Sequence, residues 1–193
     1  MKAHFFLILA LTAYLCTACQ QSITQQPNSD AEEYAVYNDL LEAEFKGDDI
    51  DQVFIINQTR VNSPKLLEQD LAGFQESTPL APELVASFKE RNQGSHPLEP
   101  VLDFGMEYQL WTQEEVDELR PLDEASGWKL FYEKYPNAYG FVYLSRVGFN
   151  ADFSRALVYM ESFHYEQPIK GGYYLMVRQD GRWVIENSYE WIT

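Results

Sequence analysis

From residue 30 onward, apolar positions recur first at helical spacing and later at strand spacing. Tyr34, Tyr37 and Leu41, with Leu40 and Phe45 beside them, predict an amphipathic helix. Ser29 or Asp30 would cap it, with Glu32 or Glu33 closing a capping box, and Lys46-Gly47-Asp48-Asp49 would end it. Residues 53–56 read as a short buried strand. Ser63-Pro64 opens a helix to about Ala72, and Pro82 opens another that runs to Asn92. A strand over 106–111 leads into a second capping box, Thr112 with Glu115, and a helix over 113–120. Ser126 caps a further helix carrying Trp128, Leu130, Phe131 and Tyr132, which Pro136 closes.

The last third changes period. Residues 141–149, 156–165, 173–178 and 183–191 are rich in Val, Tyr, Phe and Trp and are separated by turn residues. They predict a four-stranded antiparallel meander. At the final turn, Gln179-Asp180-Gly181-Arg182, two registers compete. A two-residue Asp-Gly turn sets Trp183 against Arg178. A three-residue loop with a left-handed Gly181 pairs Arg178 with Arg182 and gathers Val177, Trp183, Leu175 and Ile185 on one face. A sheet that buries one face favours the second register. The fold class expected is α+β: N-terminal helices packed on a curved antiparallel sheet of about four to six strands with a C-terminal β-meander.

Ahead of this domain lies a different pattern. Lys2 precedes an apolar run from Phe5 to Leu15 broken only by Thr12, and Thr17 and Ala18 precede Cys19. Roughly 7–15 apolar residues suit an export signal, whereas a bilayer span takes about 20. Residues 20–28 are polar and Gln-rich, a flexible tether. The division expected is therefore 1–18 signal peptide, 19–29 lipidated cysteine and tether, and 30–193 a single domain.

Leu15-Cys16-Thr17-Ala18-Cys19 resembles the bacterial lipobox. That resemblance implies diacylation of Cys19, a membrane partner through the lipid, and a place in the cell envelope. Gln20, where inner-membrane lipoproteins often carry Asp, implies the outer membrane, facing the periplasm. Cys16 departs from the usual Leu, which leaves open ordinary signal cleavage and a soluble product. Helices followed by a sheet ending in Asp-Gly-Arg-Trp-x-Ile resemble the cone-shaped fold of nuclear-transport-factor-like and ketosteroid-isomerase-like proteins over about the last 60 residues. Tyr135-Pro136-Asn137-Ala138-Tyr139-Gly140, Leu144 to Asn150 and Ala156-Leu157-Val158-Tyr159 resemble a family of uncharacterised bacterial proteins over about residues 128–193. This second resemblance implies no activity.

Charge and chemistry narrow the function classes. The net charge is −16. Without Lys2 the 14 basic residues become 13 against 30 acidic ones, so the processed chain carries −17. Such a balance argues against nucleic acid as a partner and against holding anionic lipid through side chains. Cys19 is the only cysteine left after cleavage, so no disulfide, thiolate metal site or cysteine nucleophile is expected. His164 and Glu166 share one side of a strand, and His96 is the only other histidine left after cleavage, too few for a zinc site. Asp48, Asp49 and Asp51 lack the calcium-loop progression. No nucleophile elbow, phosphate loop or His-Glu-x-x-His helix occurs, and neither cofactor nor metal is expected.

Arg146, Glu161 and His164 are the ligand-binding candidates. Arg146 could pair with Glu161 across neighbouring strands, or anchor an anionic ligand in a concave sheet. Gly148 marks a bulge or bend. Aromatic residues, 15% of the chain, are expected to fill the core, with sugar or peptide binding as a lesser use. The leading expectation is a non-enzymatic binding or envelope-associated lipoprotein whose partner is an envelope protein or small ligand. The alternative is a small-molecule enzyme using Glu161 as base beside Arg146 or His164.

Overall fold

The computed structural model describes residues 28–47, 50–119, 124–164 and 168–192. Cys19, Asp48, Asp49 and Glu166 lie outside the described residues. The first helix, α1 (Ser29–Phe45), is capped one residue earlier than expected: Asn28 accepts the Asp30 N–H at 3.1 Å. The helix thus begins one residue ahead of the expected start of the domain. Val36, Tyr37, Leu40, Leu41 and Phe45 form the buried stripe, and Glu33 lies in phase with it.

After α1 come β1 (Gln52–Ile56), α2 (Pro64–Ser77) and α3 (Pro82–Arg91), then β2 (Glu107–Trp111), α4 (Gln113–Glu118) and α5 (Glu124–Lys134). The rest is β3 (Ala138–Leu144), β4 (Gly148–Phe149), β5 (Arg155–Phe163), β6 (Lys170–Gln179) and β7 (Arg182–Ile192). Ser63 caps α2, and Thr112 with Glu115 forms the expected capping box on α4. Helix α5 starts ahead of Ser126, so that residue sits inside the helix and not at its cap.

The described strands form one seven-stranded sheet in the order β2-β1-β3-β5-β6-β7, with β4 added beside β5. The α+β class and the antiparallel C-terminal run stand, but the sheet is mixed. Strand β1 pairs in parallel with both β2 and β3. Parallel neighbours need long crossovers, and the helix pairs α2–α3 and α4–α5 supply them. Two helices between successive strands were the sequence sign of this, where an all-antiparallel sheet was expected.

Both faces of the sheet are covered. On one face α1 packs on Val53, Ile55, Val142, Leu144, Val158 and Met176. The other face has two apolar halves. Leu71, Phe74, Leu84 and Phe88 of α2 and α3 meet Leu157, Tyr159, Tyr173 and Leu175. Val116 and Phe131 of α4 and α5 meet Phe54, Phe141 and Phe163.

This double coverage corrects the hairpin register. Arg178 pairs with Trp183 and Gln179 with Arg182 across a two-residue turn. Asp180 (φ 50°) and Gly181 (φ 85°) are both left-handed, as a type I′ turn requires. Trp183 packs with Met176 on the α1 face while Leu175 packs on the other. With apolar partners available on both sides, nothing forces Trp183 and Leu175 to share one. A register shift between Leu175 and Met176 then realigns the strands.

The expected strand over 141–149 is two strands separated by Ser145-Arg146-Val147. Gly148 is less a bend than a point of close approach. A Cβ there would lie 2.5 Å from the backbone N and Cα of Phe88, so α3 rests directly on the sheet. Gly148→Ala should therefore push α3 outward and cost about 1–3 kcal/mol, as overpacking does. Urea unfolding checks this, and a cost near zero would mean that α3 moves freely.

Candidate functional site

The break at Ser145-Arg146-Val147 builds the principal polar site. Asn92, just past α3, holds the segment like a backbone partner. Its Oδ1 accepts the Arg146 N–H at 2.9 Å, and its Nδ2 lies 2.9 Å from the Arg146 carbonyl and from that of Phe88. Ser145 Oγ accepts the Tyr159 N–H at 2.8 Å. So anchored, Arg146 turns toward α1. Its Nε lies 2.8 and 2.9 Å from the two Glu33 oxygens, and its Nη2 is 2.8 Å from Glu33 and 3.1 Å from Asp30.

Glu33 is the centre of this cluster and is only 4% exposed. It also takes the Val147 N–H at 2.7 Å and Arg91 Nη2 at 2.9 Å. The Tyr37 hydroxyl donates to the Ser145 carbonyl at 2.8 Å and lies 3.1 Å from Glu33. Burial first, and then the Glu33 charge, push the Tyr37 phenol well above its ordinary value, so it stays protonated. Burial opposes the Arg146 charge, but hydrogen bonding to Glu33 and the Glu33 charge outweigh it and hold the guanidinium above its ordinary value. A buried carboxylate held by two guanidiniums, a backbone N–H and a phenol is a structural clamp as much as a binding feature.

Beside the clamp, at the start of α1, lies a depression of about 230 Å³ whose walls include Asp30, Tyr34, Thr59, His96, Glu99 and Arg146. Tyr34 Oη accepts the Glu99 N–H at 2.7 Å, and Thr59 Oγ1 accepts the His96 N–H at 2.9 Å. A wider hollow of about 500 Å³ between the end of α1 and residues 103–106 is lined by Phe45, Phe104 and Met106, with Glu42, Lys46 and Asp103 as its charges.

Glu161 is elsewhere. It pairs with Tyr143 across the strands, on the face opposite Leu144 and the Arg146 clamp. The expected Arg146–Glu161 pair is therefore absent: one residue faces α1, the other lies between the two apolar halves of the far face. There Glu161 Oε2 accepts from Tyr159 Oη at 2.9 Å and lies 3.4 Å from Arg60, whose guanidinium sits 4.9 Å above the Tyr143 ring. His164 follows β5, half-buried, its ring 4.7 Å from that of Tyr139. The three candidates do not come together.

His96 lines the depression and His164 packs on Tyr139, so the two described histidines serve different places. Among the described residues no group of three His, Cys, Asp or Glu could hold a metal ion. Asp51 accepts from Asn137 Nδ2 at 2.7 Å. Most aromatic rings fill the core: on one half of the sheet Phe54 meets Trp111 and Phe131 edge to face and Tyr135 at a tilt.

Glu33, Arg91, Asn92, Tyr34, Thr59 and Arg60 were not singled out as site residues from sequence. One signal pointed to Glu33: a carboxylate in register with an apolar helical stripe. Arg91 and Asn92 carried none, because they join the Glu33–Arg146 cluster only through the fold. No family model, no curated protein and no solved structure matches the chain.

Proposed function

We propose that this chain is an exported lipoprotein whose domain binds a partner or small ligand without catalysing its conversion, held at the cell envelope by lipid on Cys19. The observation that carries the reading is positional. The polar depression lies at the N-terminal end of α1, the end from which residues 20–28 lead back to the lipobox-like cysteine. A ligand bound there would sit on the anchored side of the domain. Among the described residues no helix is long and apolar enough to cross a membrane, and attachment in this reading comes from acyl chains at about 0.8 kcal/mol per buried CH₂. Envelope localisation, with outer-membrane attachment facing the periplasm, belongs to the same proposal.

Two features support binding over catalysis. Arg146 and Glu161 face opposite sides of the sheet, so they cannot act as an acid–base pair on one substrate. The carboxylate with the most donors, Glu33, has its lone pairs occupied by the protein itself, which leaves it poorly placed to take a substrate proton.

Cells expressing the full chain and fed an alkyne palmitate analogue should yield labelled, membrane-associated protein that begins at Cys19. Cys19→Ser should abolish the label and shift the protein out of the membrane fraction. Recovery of unlabelled protein with an intact Met1 from the cytosol would overturn the proposal.

A further inference from the structure

The walls of the depression beside the clamp hold unspent hydrogen-bonding capacity of a particular kind. Arg146 commits Nε and Nη2 to Glu33 and Asp30, but its Nη1 has no partner among the described residues. Tyr34 Oη and Thr59 Oγ1 each act as acceptor for a backbone N–H, so each retains its own proton to donate. Burial keeps the Tyr34 phenol above its ordinary value and therefore protonated. Arg146, Tyr34 and Thr59 line the same cavity. Donors gathered in this way call for acceptor oxygens.

The charges nearby restrict which oxygens. Arg91 and Arg146 offset Glu33 and Asp30, and Glu99 on the wall leaves a surplus negative charge. Asp30 engages its partners through Oδ1 alone, so Oδ2 is open, and its side chain is 71% exposed. A bare anion would meet Asp30 and Glu99; a bare cation would leave the guanidinium and hydroxyl donors unused. A molecule with both charges satisfies both sets. The size agrees: about 230 Å³ is smaller than the roughly 300–1,000 Å³ of pockets for drug-sized ligands.

We infer that this depression is a site for a small zwitterion, a free amino acid or a dipeptide, with its carboxylate on Arg146, Tyr34 and Thr59 and its ammonium toward Asp30 and Glu99. This inference deepens the binding reading and rests on it. The lipid-labelling test does not depend on the ligand, so the two can fail separately.

The full chain, purified in detergent, is titrated calorimetrically with each of the twenty common L-amino acids and with dialanine. Acetate and methylammonium serve as single-charge probes. At least one zwitterion should bind saturably, ten-fold or more tightly than either probe. Glu99→Gln and Tyr34→Phe, checked by thermal melting to be folded, should each weaken it several-fold. Acetate binding as tightly as the best zwitterion would overturn the inference in favour of an anion site. Absence of saturable zwitterion binding, or binding unchanged in both variants, would overturn it as well.

Discussion

Glu33→Ala should destabilise the domain by about 3–5 kcal/mol, the usual cost of removing one partner from a buried ion cluster. In the parent, two guanidiniums, a backbone N–H and a phenol surround this carboxylate. Without it, Arg146 and Arg91, whose side chains are 15% and 21% exposed, keep Asp30 as their only carboxylate partner among the described residues, and Asp30 is mostly in water. Most of the cost comes from charge left buried and unpaired. Removing Arg146 as well should therefore recover part of it: the double variant should be less damaged than the two single losses added together, by about 0.5–3 kcal/mol. Urea unfolding of the four proteins measures this. If Glu33→Ala lies within about 1 kcal/mol of the parent, the cluster does not hold α1 to the sheet.

Phe54→Ala should cost a similar amount, about 3–5 kcal/mol, for a different reason. Phe54 is fully buried on β1, the strand between β2 and β3. Its ring centre lies 4.9 Å from that of Trp111, 5.0 Å from Phe131 and 4.7 Å from Tyr135. Truncation removes apolar contact from three neighbours, on β2, on α5 and just past the end of α5, which cannot all close on the gap at once. Phe54→Leu refills much of the space and should cost clearly less. Near-ultraviolet circular dichroism should lose intensity in the alanine variant, since Phe54 is one of the three rings that Trp111 meets edge to face. An unchanged spectrum with unchanged stability would show that α4 and α5 do not depend on this contact.

Much of the architecture was legible along the chain because it is encoded locally. The α1 stripe, the Thr112–Glu115 capping box and the four aromatic-rich segments at the C-terminus each rest on spacing within a few residues. The failures share one physical origin. The hairpin register was inferred from a sheet with a single buried face, whereas helices cover both, so alternation at Trp183 and Leu175 could not discriminate. Residues 141–149 have the composition of one strand, yet Asn92 and Ser145 take over the backbone hydrogen bonds around Arg146 and split it. The candidate site was half legible. Arg146 could be picked out, but its partners Glu33 and Asn92, and Arg91 that shares Glu33 with it, lie more than 50 residues away in sequence.

By itself the sequence determined the apolar run ahead of Cys19, the acidic balance, the absence of any cysteine beyond Cys19 and most of the order of helices and strands, because each depends on composition or short-range periodicity. Only the tertiary structure decided that β1 and β2 run parallel, that Arg146 answers to α1 while Glu161 answers to Arg60, and that Arg146, Tyr34 and Thr59 line one depression. Those outcomes depend on which distant surfaces exclude water together, and no local pattern carries that information.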